Sequence, residues 1–422
     1  MKFAIVNLGC KVNRVESDAA AALMLEAGAS QASLAEADLV VVNTCTVTGE
    51  AEKKTRKAVR HALRESPAAL IAVTGCAAAI RPEAFQSMSD RIVCIPKAQL
   101  EAEVRRIIES SCIERPMPHD GVSGVLRLGD GFPTRVGVKV QDGCNNACTY
   151  CIVHVARGRA ASRAVEDIVA ECLDYARAGV KEIVLTGINL GSYSLLMQDG
   201  KMLHLAGLLE RLLKATEGFR GEGEPACRFR ISSIEPRDVD DDLIELLASA
   251  NGRICRHLHL PLQAGSSKVL REMARPYDAL FFCDLVDRLR ARVPQLSLST
   301  DIIAGFPGET EREFSETLNV ARKCGFSKIH AFPYSLREGT PAAKRADQVS
   351  PEVKAGRAAR LRELGDELRV EDFKRRRGST ELVLVEQDGR GMTESYFEVP
   401  VSASARVGSL VPLELDRCLT EA

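Results

Sequence analysis

The chain is 422 residues long, 45% hydrophobic and 27% charged, with 57 Lys and Arg against 58 Asp and Glu. At roughly 100–200 residues per domain this is two to four domains, with ample length for buried cores. The composition excludes wholesale disorder, a collagenous chain and a small disulfide scaffold. The net charge of -1 excludes a surface coated with non-specific nucleic-acid-binding charge, while leaving room for a local basic patch.

There is no Trp, so base stacking would fall to Phe, Tyr, His or Arg. No stretch approaches the ~18 uncharged apolar residues of a membrane span. The N-terminal MKFAIVNLGCKVNR reads as a first strand and not as a signal peptide. The cytoplasm is therefore the expected compartment. In that reducing setting 14 cysteines ask for metal, redox chemistry or buried thiols.

Apolar runs recur through the first third of the chain. Lys2–Leu8 leads into Gly9 and Cys10, Ala37–Asn43 into Thr44 and Cys45, and Ala69–Thr74 into Gly75 and Cys76. A fourth run, Arg91–Ile95, lacks such an ending. Helical patterns lie between, at Val15–Glu26 and Glu50–Arg64. The alternation predicts a small parallel sheet flanked by helices, with ligands beyond the carboxyl ends of the strands. Cys10, Cys45 and Cys76 would converge there although 31 to 35 residues separate them. Three thiolates at equivalent strand ends fit a metal or iron–sulfur site; three buried structural thiols are the alternative. Cys94 and Cys112 fall outside the pattern and read as structural.

Cys112–Pro133 reads as a linker. A strand over Thr134–Gln141 then enters Asp142-Gly-Cys144-Asn-Asn-Ala-Cys148-Thr-Tyr150-Cys151, a C-x3-C-x2-C loop. Three thiolates can hold three irons of a [4Fe–4S] cluster and leave the fourth open, unlike ferredoxin spacing, which supplies four cysteines. An open iron beside S-adenosylmethionine suits reductive cleavage to a radical. A Cys3His zinc site with His154, or unligated thiols, are the alternatives.

Beyond the loop, strands are expected at Lys181–Leu185, Arg228–Ser232, His257–Leu262, Leu296–Ile302 and Lys328–Phe332. Helices are expected at Val165–Ala178, His204–Ala215, Asp240–Ala248, Tyr277–Val293 and Glu309–Lys323. With Thr134–Gln141 these make a partial barrel of six β-α units. Polar residues and glycines gather at its strand ends: Thr186, Gly187 and Asn189; Ser233 and Glu235; Gln263; and Asp301 with Gly305–Glu309. Barrel-like folds place chemistry at that edge. A charged helix, Pro351–Arg377, ends in Lys374, Arg375, Arg376 and Arg377. This run is either a phosphate contact or a solvated helix end. Short runs at Thr380–Val385, Ser395–Val401 and Ser409–Leu415 predict a small antiparallel module. The fold class is thus α/β. The expected divisions are a small parallel domain over 1–112, a partial barrel over 134–350, a helix over 351–377 and an all-β module over 378–422.

The order of Cys10, Cys45 and Cys76 ahead of a C-x3-C-x2-C loop, with a small β-module at the end, resembles the methylthiotransferase family of radical S-adenosylmethionine enzymes over nearly the whole chain. Leu8-Gly-Cys10-Lys-Val-Asn13 with Glu16-Ser17, Asn43-Thr-Cys45-Thr-Val-Thr48, Thr74-Gly-Cys76 and Phe332-Pro-Tyr-Ser335 are similar to the branch acting on tRNA that carries N6-threonylcarbamoyladenosine. The isopentenyladenosine branch typically reads Gly-Cys-Gln-Met-Asn after its first strand, and the ribosomal-protein branch Gly-Cys-Pro-Lys-Asn. After Cys151 the chain has Ile152-Val153-His154-Val155 where the family often has Ile-Val/Ile-Pro-Tyr.

The resemblance implies two [4Fe–4S] clusters: an auxiliary one on Cys10, Cys45 and Cys76, and a radical one on Cys144, Cys148 and Cys151. It places S-adenosylmethionine near Tyr150, Thr186, Gly187, Asn189, Ser233, Glu235 and Gln263, and makes the tail a TRAM-like module that grips tRNA. One S-adenosylmethionine would methylate a sulfur at the auxiliary cluster. A second, reduced at the open iron by a donor such as flavodoxin or ferredoxin, would give a 5′-deoxyadenosyl radical. That radical would act at adenine C2 of position 37 of tRNA, the site that receives the methylthio group. Other readings are the isopentenyladenosine or ribosomal-protein substrate, a different radical sulfur insertion, and a non-enzymatic zinc-dependent RNA-binding protein.

Overall fold

The computed structural model describes residues 1–46, 49–110, 134–219, 226–386 and 389–415. The expected linker Cys112–Pro133 and the end of the tail lie outside them. The chain forms two compact units. One holds the described residues up to 110 together with 143–145 and 151–159; the other holds 134–142, 146–150 and 160–415.

The first unit is built on a parallel sheet in the order Ser30–Gln31, Lys2–Asn7, Leu39–Thr44, Leu70–Gly75, Ile92–Cys94. Leu39–Thr44 is buried at every residue, as a central parallel strand covered on both faces must be. Side chains alternate between faces along each strand. Phe3, Leu39, Val41 and Ala72 meet Ala20 and Met24 of helix Lys11–Glu26 and Val104 and Ile108 of helix Leu100–Ser110. Val40, Val42, Ile71 and Val73 meet Val59 and Ala62 of helix Gly49–Glu65. The four expected strands stand within a residue or two of their expected ends; Ser30–Gln31 is an addition.

In the second unit six parallel strands follow one another: Arg135–Lys139, Glu182–Thr186, Arg228–Ile231, His257–His259, Ser297–Ala304 and Lys328–Pro333. The first three pair as one sheet and the last three as another. Parallel bridges Phe229↔Ile254 and Ser233↔His259 stitch the third strand to the fourth. Helices Val165–Arg177, Leu205–Ala215, Asp241–Ser249, Ala279–Arg292 and Glu311–Cys324 return the chain between strands. Their apolar faces, Ile168, Leu209, Leu247, Phe282 and Phe314 among them, pack with Ile183, Leu185, Phe229, Leu258, Leu298 and Ile302. Glu182, Arg228, Arg230, His257, His259, Ser299, Asp301 and His330 occupy the alternate strand positions and so face the barrel interior. The hairpin Ser194–Leu196 with Met202–His204, and the short helix Ser267–Glu272, were not expected from the sequence.

Helix Pro351–Arg376 leads to an antiparallel sheet in the order Glu398–Pro400, Arg390–Thr393, Thr380–Val385, Leu410–Glu414. This sheet closes one end of the barrel. Arg228 Nη1 donates to the Leu382 carbonyl at 2.6 Å, and Arg230 donates to the carbonyls of Glu394 at 2.8 Å and Thr393 at 3.1 Å. Both guanidiniums also grip Glu182, each at 2.6 Å. Burial pushes the Glu182 carboxyl up, but the Arg230 and Arg228 charges outweigh it and hold the group well below the carboxylate range. The Tyr396 ring lies 4.3 Å from the Arg230 guanidinium and 4.8 Å from the His257 ring.

One expectation for the tail is corrected here. Arg376 is buried, with its guanidinium on Asp372 at 3.0 Å, Glu381 at 3.3 Å and the Gln295 carbonyl at 2.6 Å. It ties the helix to the sheet and has no free charge for phosphate. Lys374, Arg375 and Arg377 are exposed.

Candidate functional site

The first unit brings Cys10, Cys45 and Cys76 to one sheet edge. The register pairs Asn7 with Asn43 and Thr44 with Gly75, so the three cysteines leave three adjacent strands at one level. Two glycines make this possible. Gly9 has φ +112°, and a Cβ there would lie 2.6 Å from Cys45 Cβ; Gly75 has φ +97°, and its Cβ would lie 2.3 Å from the Thr44 carbonyl oxygen. Any L side chain would both strain the backbone and push the strand ends apart.

Polar side chains lock the three strand ends together. Asn13 Nδ2 donates to the carbonyls of Leu8 and Thr44, each at 2.9 Å. Asn43 Nδ2 donates to the Asn13 carbonyl at 2.9 Å and to Ser17 Oγ at 3.1 Å. Thr44 Oγ1 donates to the Thr74 carbonyl at 2.6 Å and accepts from Ala78 N–H at 3.2 Å. These are residues of the motifs flanking the cysteines. Short helix Val153–Arg157 adds a cation: Arg157 Nε donates to Cys76 Sγ at 3.3 Å, and its other nitrogens reach Glu16 at 3.0 Å and Asn13 at 2.9 Å.

Within the C-x3-C-x2-C loop, Gly143 has φ +70° and no room for a side chain: a Cβ would lie 2.0 Å from the Arg159 carbonyl oxygen. Cys144 N–H donates to the Gly158 carbonyl at 3.1 Å, and Val153 N–H to Cys151 Sγ at 3.4 Å. Cys148 is buried, and Arg275 Nη1 donates to its sulfur at 3.1 Å. The same guanidinium pairs with Glu235 and meets Tyr277 Oη at 3.1 Å. Burial pushes the Glu235 carboxyl up, against the pull of Arg275. His154 sits exposed on its short helix.

The other residues expected around S-adenosylmethionine lie at the carboxyl ends of the barrel strands. Thr186 ends the second strand and is buried. Gly187 faces Gln141, whose Oε1 would meet its Cβ at 2.9 Å and accepts the Asn189 N–H at 2.9 Å. Asn189 Oδ1 and Ser232 Oγ are buried without a hydrogen-bond partner among the described residues. Ser233 bridges to the fourth strand, and Gln263, at φ 65°, donates its N–H to the Asp301 carbonyl at 2.8 Å. Tyr150 packs half-buried against the barrel core. Sequence reasoning missed Arg157, Arg275 and Gln141, which act through contacts far along the chain.

Residues 2–95 match the model of the uncharacterized protein family UPF0004, and residues 138–321 match that of the Radical SAM superfamily. Among solved structures, the radical S-adenosylmethionine methyltransferase TsrM from Kitasatospora setae shares the fold at a TM-score of 0.57 and 16% identity, over 81% of this chain and 77% of that one. The barrel and its cysteine loop are those of a radical S-adenosylmethionine enzyme.

The threonylcarbamoyladenosine tRNA methylthiotransferase MtaB of Bacillus subtilis (strain 168) is 40% identical over 86% of this chain and 80% of its own. The MtaB of Chlamydia pneumoniae is 35% identical over 98% of this chain and 95% of its own. The tRNA-2-methylthio-N(6)-dimethylallyladenosine synthase of Carboxydothermus hydrogenoformans is 35% identical over 96% and 92%. The chain belongs to the radical S-adenosylmethionine tRNA methylthiotransferases.

That family uses a [4Fe–4S] cluster and S-adenosylmethionine, and the residues fit both. Soft thiol donors with a buried guanidinium beside them suit an anionic iron–sulfur cluster. The orphaned Asn189 Oδ1 and Ser232 Oγ suit the polar groups of a bound nucleoside or amino acid. No described helix is long and apolar enough to cross a membrane.

Proposed function

We propose that this enzyme adds a methylthio group at C2 of N6-threonylcarbamoyladenosine at position 37 of tRNA, using two [4Fe–4S] clusters. The observation that carries the two-cluster reading is the pair of separate thiol triads: Cys10, Cys45 and Cys76 on three strand ends, and Cys144, Cys148 and Cys151 on one loop. The threonylcarbamoyl substrate is supported by the MtaB relatives and by the motifs around Cys10 and Cys45. Relatives named for dimethylallyladenosine support the second reading, that modified base.

Cys144, Cys148 and Cys151 would hold a cluster that, with S-adenosylmethionine bound beside it, would supply the one-electron chemistry an unactivated C–H bond requires. The chain's own part is to hold and orient. Arg275 fixes the Cys148 sulfur and Glu235 together, while Gln141 fixes the backbone of Asn189. Tyr150, Thr186, Gly187, Asn189, Ser233, Glu235 and Gln263 surround the cofactor. Lys374, Arg375 and Arg377 contact RNA phosphate from the tail, within domain limits of 1–112, 134–350, 351–377 and 378–422. The electron comes from a donor of the flavodoxin or ferredoxin class, and the compartment is the cytoplasm. Nucleoside mass spectrometry of tRNA from cells with and without the protein tests the reading. Loss of 2-methylthio-N6-threonylcarbamoyladenosine upholds it, and loss of the dimethylallyl counterpart instead overturns it.

A further inference from the structure

We propose that His259, Asp301 and His330 form the subsite that recognises the threonylcarbamoyl substituent, an inference resting on the substrate reading above. The three residues come from three adjacent barrel strands. Register pairs Asp301 with His330 and His259 with Ser299, which puts all four on the inner face. Their neighbours on the opposite face, Leu258, Leu298, Ile302 and Ile329, belong to the apolar core.

The group is preset. His259 Nε2 lies 3.3 Å from Asp301 Oδ1, and His259 Nδ1 lies 2.9 Å from Ser299 Oγ. That hydroxyl is also 2.9 Å from His257 Nε2. Ser299 is buried, so the chain of bonds behind His259 is shielded, while His259 and Asp301 are half-buried and His330 is exposed. One ligand atom from each of His259, Asp301 and His330 falls within 4.8 Å of the others. One carboxylate and two imidazoles therefore converge on the inner face of the barrel.

The threonylcarbamoyl group offers urea N–H donors, a hydroxyl and a carboxylate. Asp301 is the acceptor for an N–H or hydroxyl of this group, and His330 is the donor for its carboxylate. A dimethylallyl group offers only hydrocarbon. Over this patch it would strip water from three polar side chains and return no hydrogen bond. The patch thus sorts two modified adenosines that differ only beyond N6.

The test is binding of synthetic anticodon hairpins bearing threonylcarbamoyladenosine, dimethylallyladenosine or plain adenosine to the cluster-loaded enzyme. The wild type should prefer the first. Asp301→Asn and His330→Ala should each weaken that hairpin by about tenfold, the effect of one lost charged hydrogen bond, and leave the plain hairpin unchanged. His330→Gln, a mild change at an exposed strand position, keeps a donor and should restore part of the loss. Equal weakening of all three hairpins, or undiminished preference in the variants, overturns the proposal. So does one divalent cation per chain in iron-free protein that His330→Ala abolishes, because the triad would then be a metal site. A wild type that does not distinguish the threonylcarbamoyl hairpin from the plain one overturns the substrate reading itself.

Discussion

Arg157 donates its Nε to the sulfur of Cys76 across 3.3 Å, from a side chain only 1% exposed. A buried cation at that sulfur offsets the negative charge that thiolates and sulfide bring to a cluster. Arg157→Gln removes the charge, while Glu16 keeps its pair with Lys97 at 2.6 Å. With the two clusters proposed above, iron should fall from about eight atoms per chain toward about four, as for loss of one four-iron cluster, and methylthio product should fall with it. Arg157→Lys, a point charge without the fork, should recover only part. Iron analysis beside nucleoside mass spectrometry checks this; full iron in Arg157→Gln would refute it.

The two thiol triads should separate by function. Replacing Cys144, Cys148 and Cys151 together by Ala should halve the iron and abolish reductive cleavage of S-adenosylmethionine. Replacing Cys10, Cys45 and Cys76 should spare that cleavage, giving uncoupled 5′-deoxyadenosine and no methylthio nucleoside. Both products are measured on the same folded preparation. A Cys10, Cys45, Cys76 variant that still makes the methylthio nucleoside would sink the assignment of the auxiliary cluster.

Glu309 sets a pH dependence of stability. Its Oε2 accepts from Gly305 N–H at 2.7 Å and from Arg357 at 2.8 Å, while Oε1 is buried without a donor. Burial pushes its pKa from 4.5 up to about 7, against the pull of Gly305 and Arg357. The folded state therefore binds this proton more tightly than the unfolded chain does. Its contribution is fully present below the unfolded value of 4.5 and is lost as pH rises through about 7. Glu309→Gln should flatten the fall in melting temperature across that window. Parallel wild-type and variant curves from pH 4.5 to 8 would contradict it.

Neutral replacements of Lys374, Arg375 and Arg377 should weaken tRNA binding and flatten its dependence on salt, because each phosphate contact releases counterions. Arg376→Ala should act differently: it removes the buried guanidinium shared by Asp372 and Glu381, leaving Asp372 to Arg375 and Glu381 to Ser395, and should lower the melting temperature. Filter binding over a salt series and thermal unfolding distinguish the two. Unchanged affinity at moderate salt in the triple variant would leave the run a solvated helix end.

The elements legible in the sequence were those whose signal is local. Leu39–Val42 is an unbroken apolar run, and the glycine before Cys10 and Cys76 marks the turn that carries each thiol off its strand end. Contacts across distance left no such trace. Arg157 meets Glu16 from 141 residues away, and Arg275 meets Cys148 from 127. Lys374–Arg377 looked like one uniform charge run, but helix phase turns Arg376 inward with Asp372 and Phe373. Strand Arg390–Thr393 was missed because Arg-Gly-Met-Thr shows no apolar alternation; sheet pairing alone holds it extended.

Four main-chain carbonyls of the tail, on Leu382, Met392, Thr393 and Glu394, receive the guanidiniums of Arg228 and Arg230. A chain cut after Arg377 would uncover the end of the barrel that this sheet closes. It would leave Arg228 and Arg230 to find water where they now find backbone. The module's peptide backbone is thus the barrel's foundation, and any module put in its place would have to present carbonyls at these four points. Any displacement of this sheet is felt directly at the third barrel strand, whose far end leads into Ser232 and Ser233.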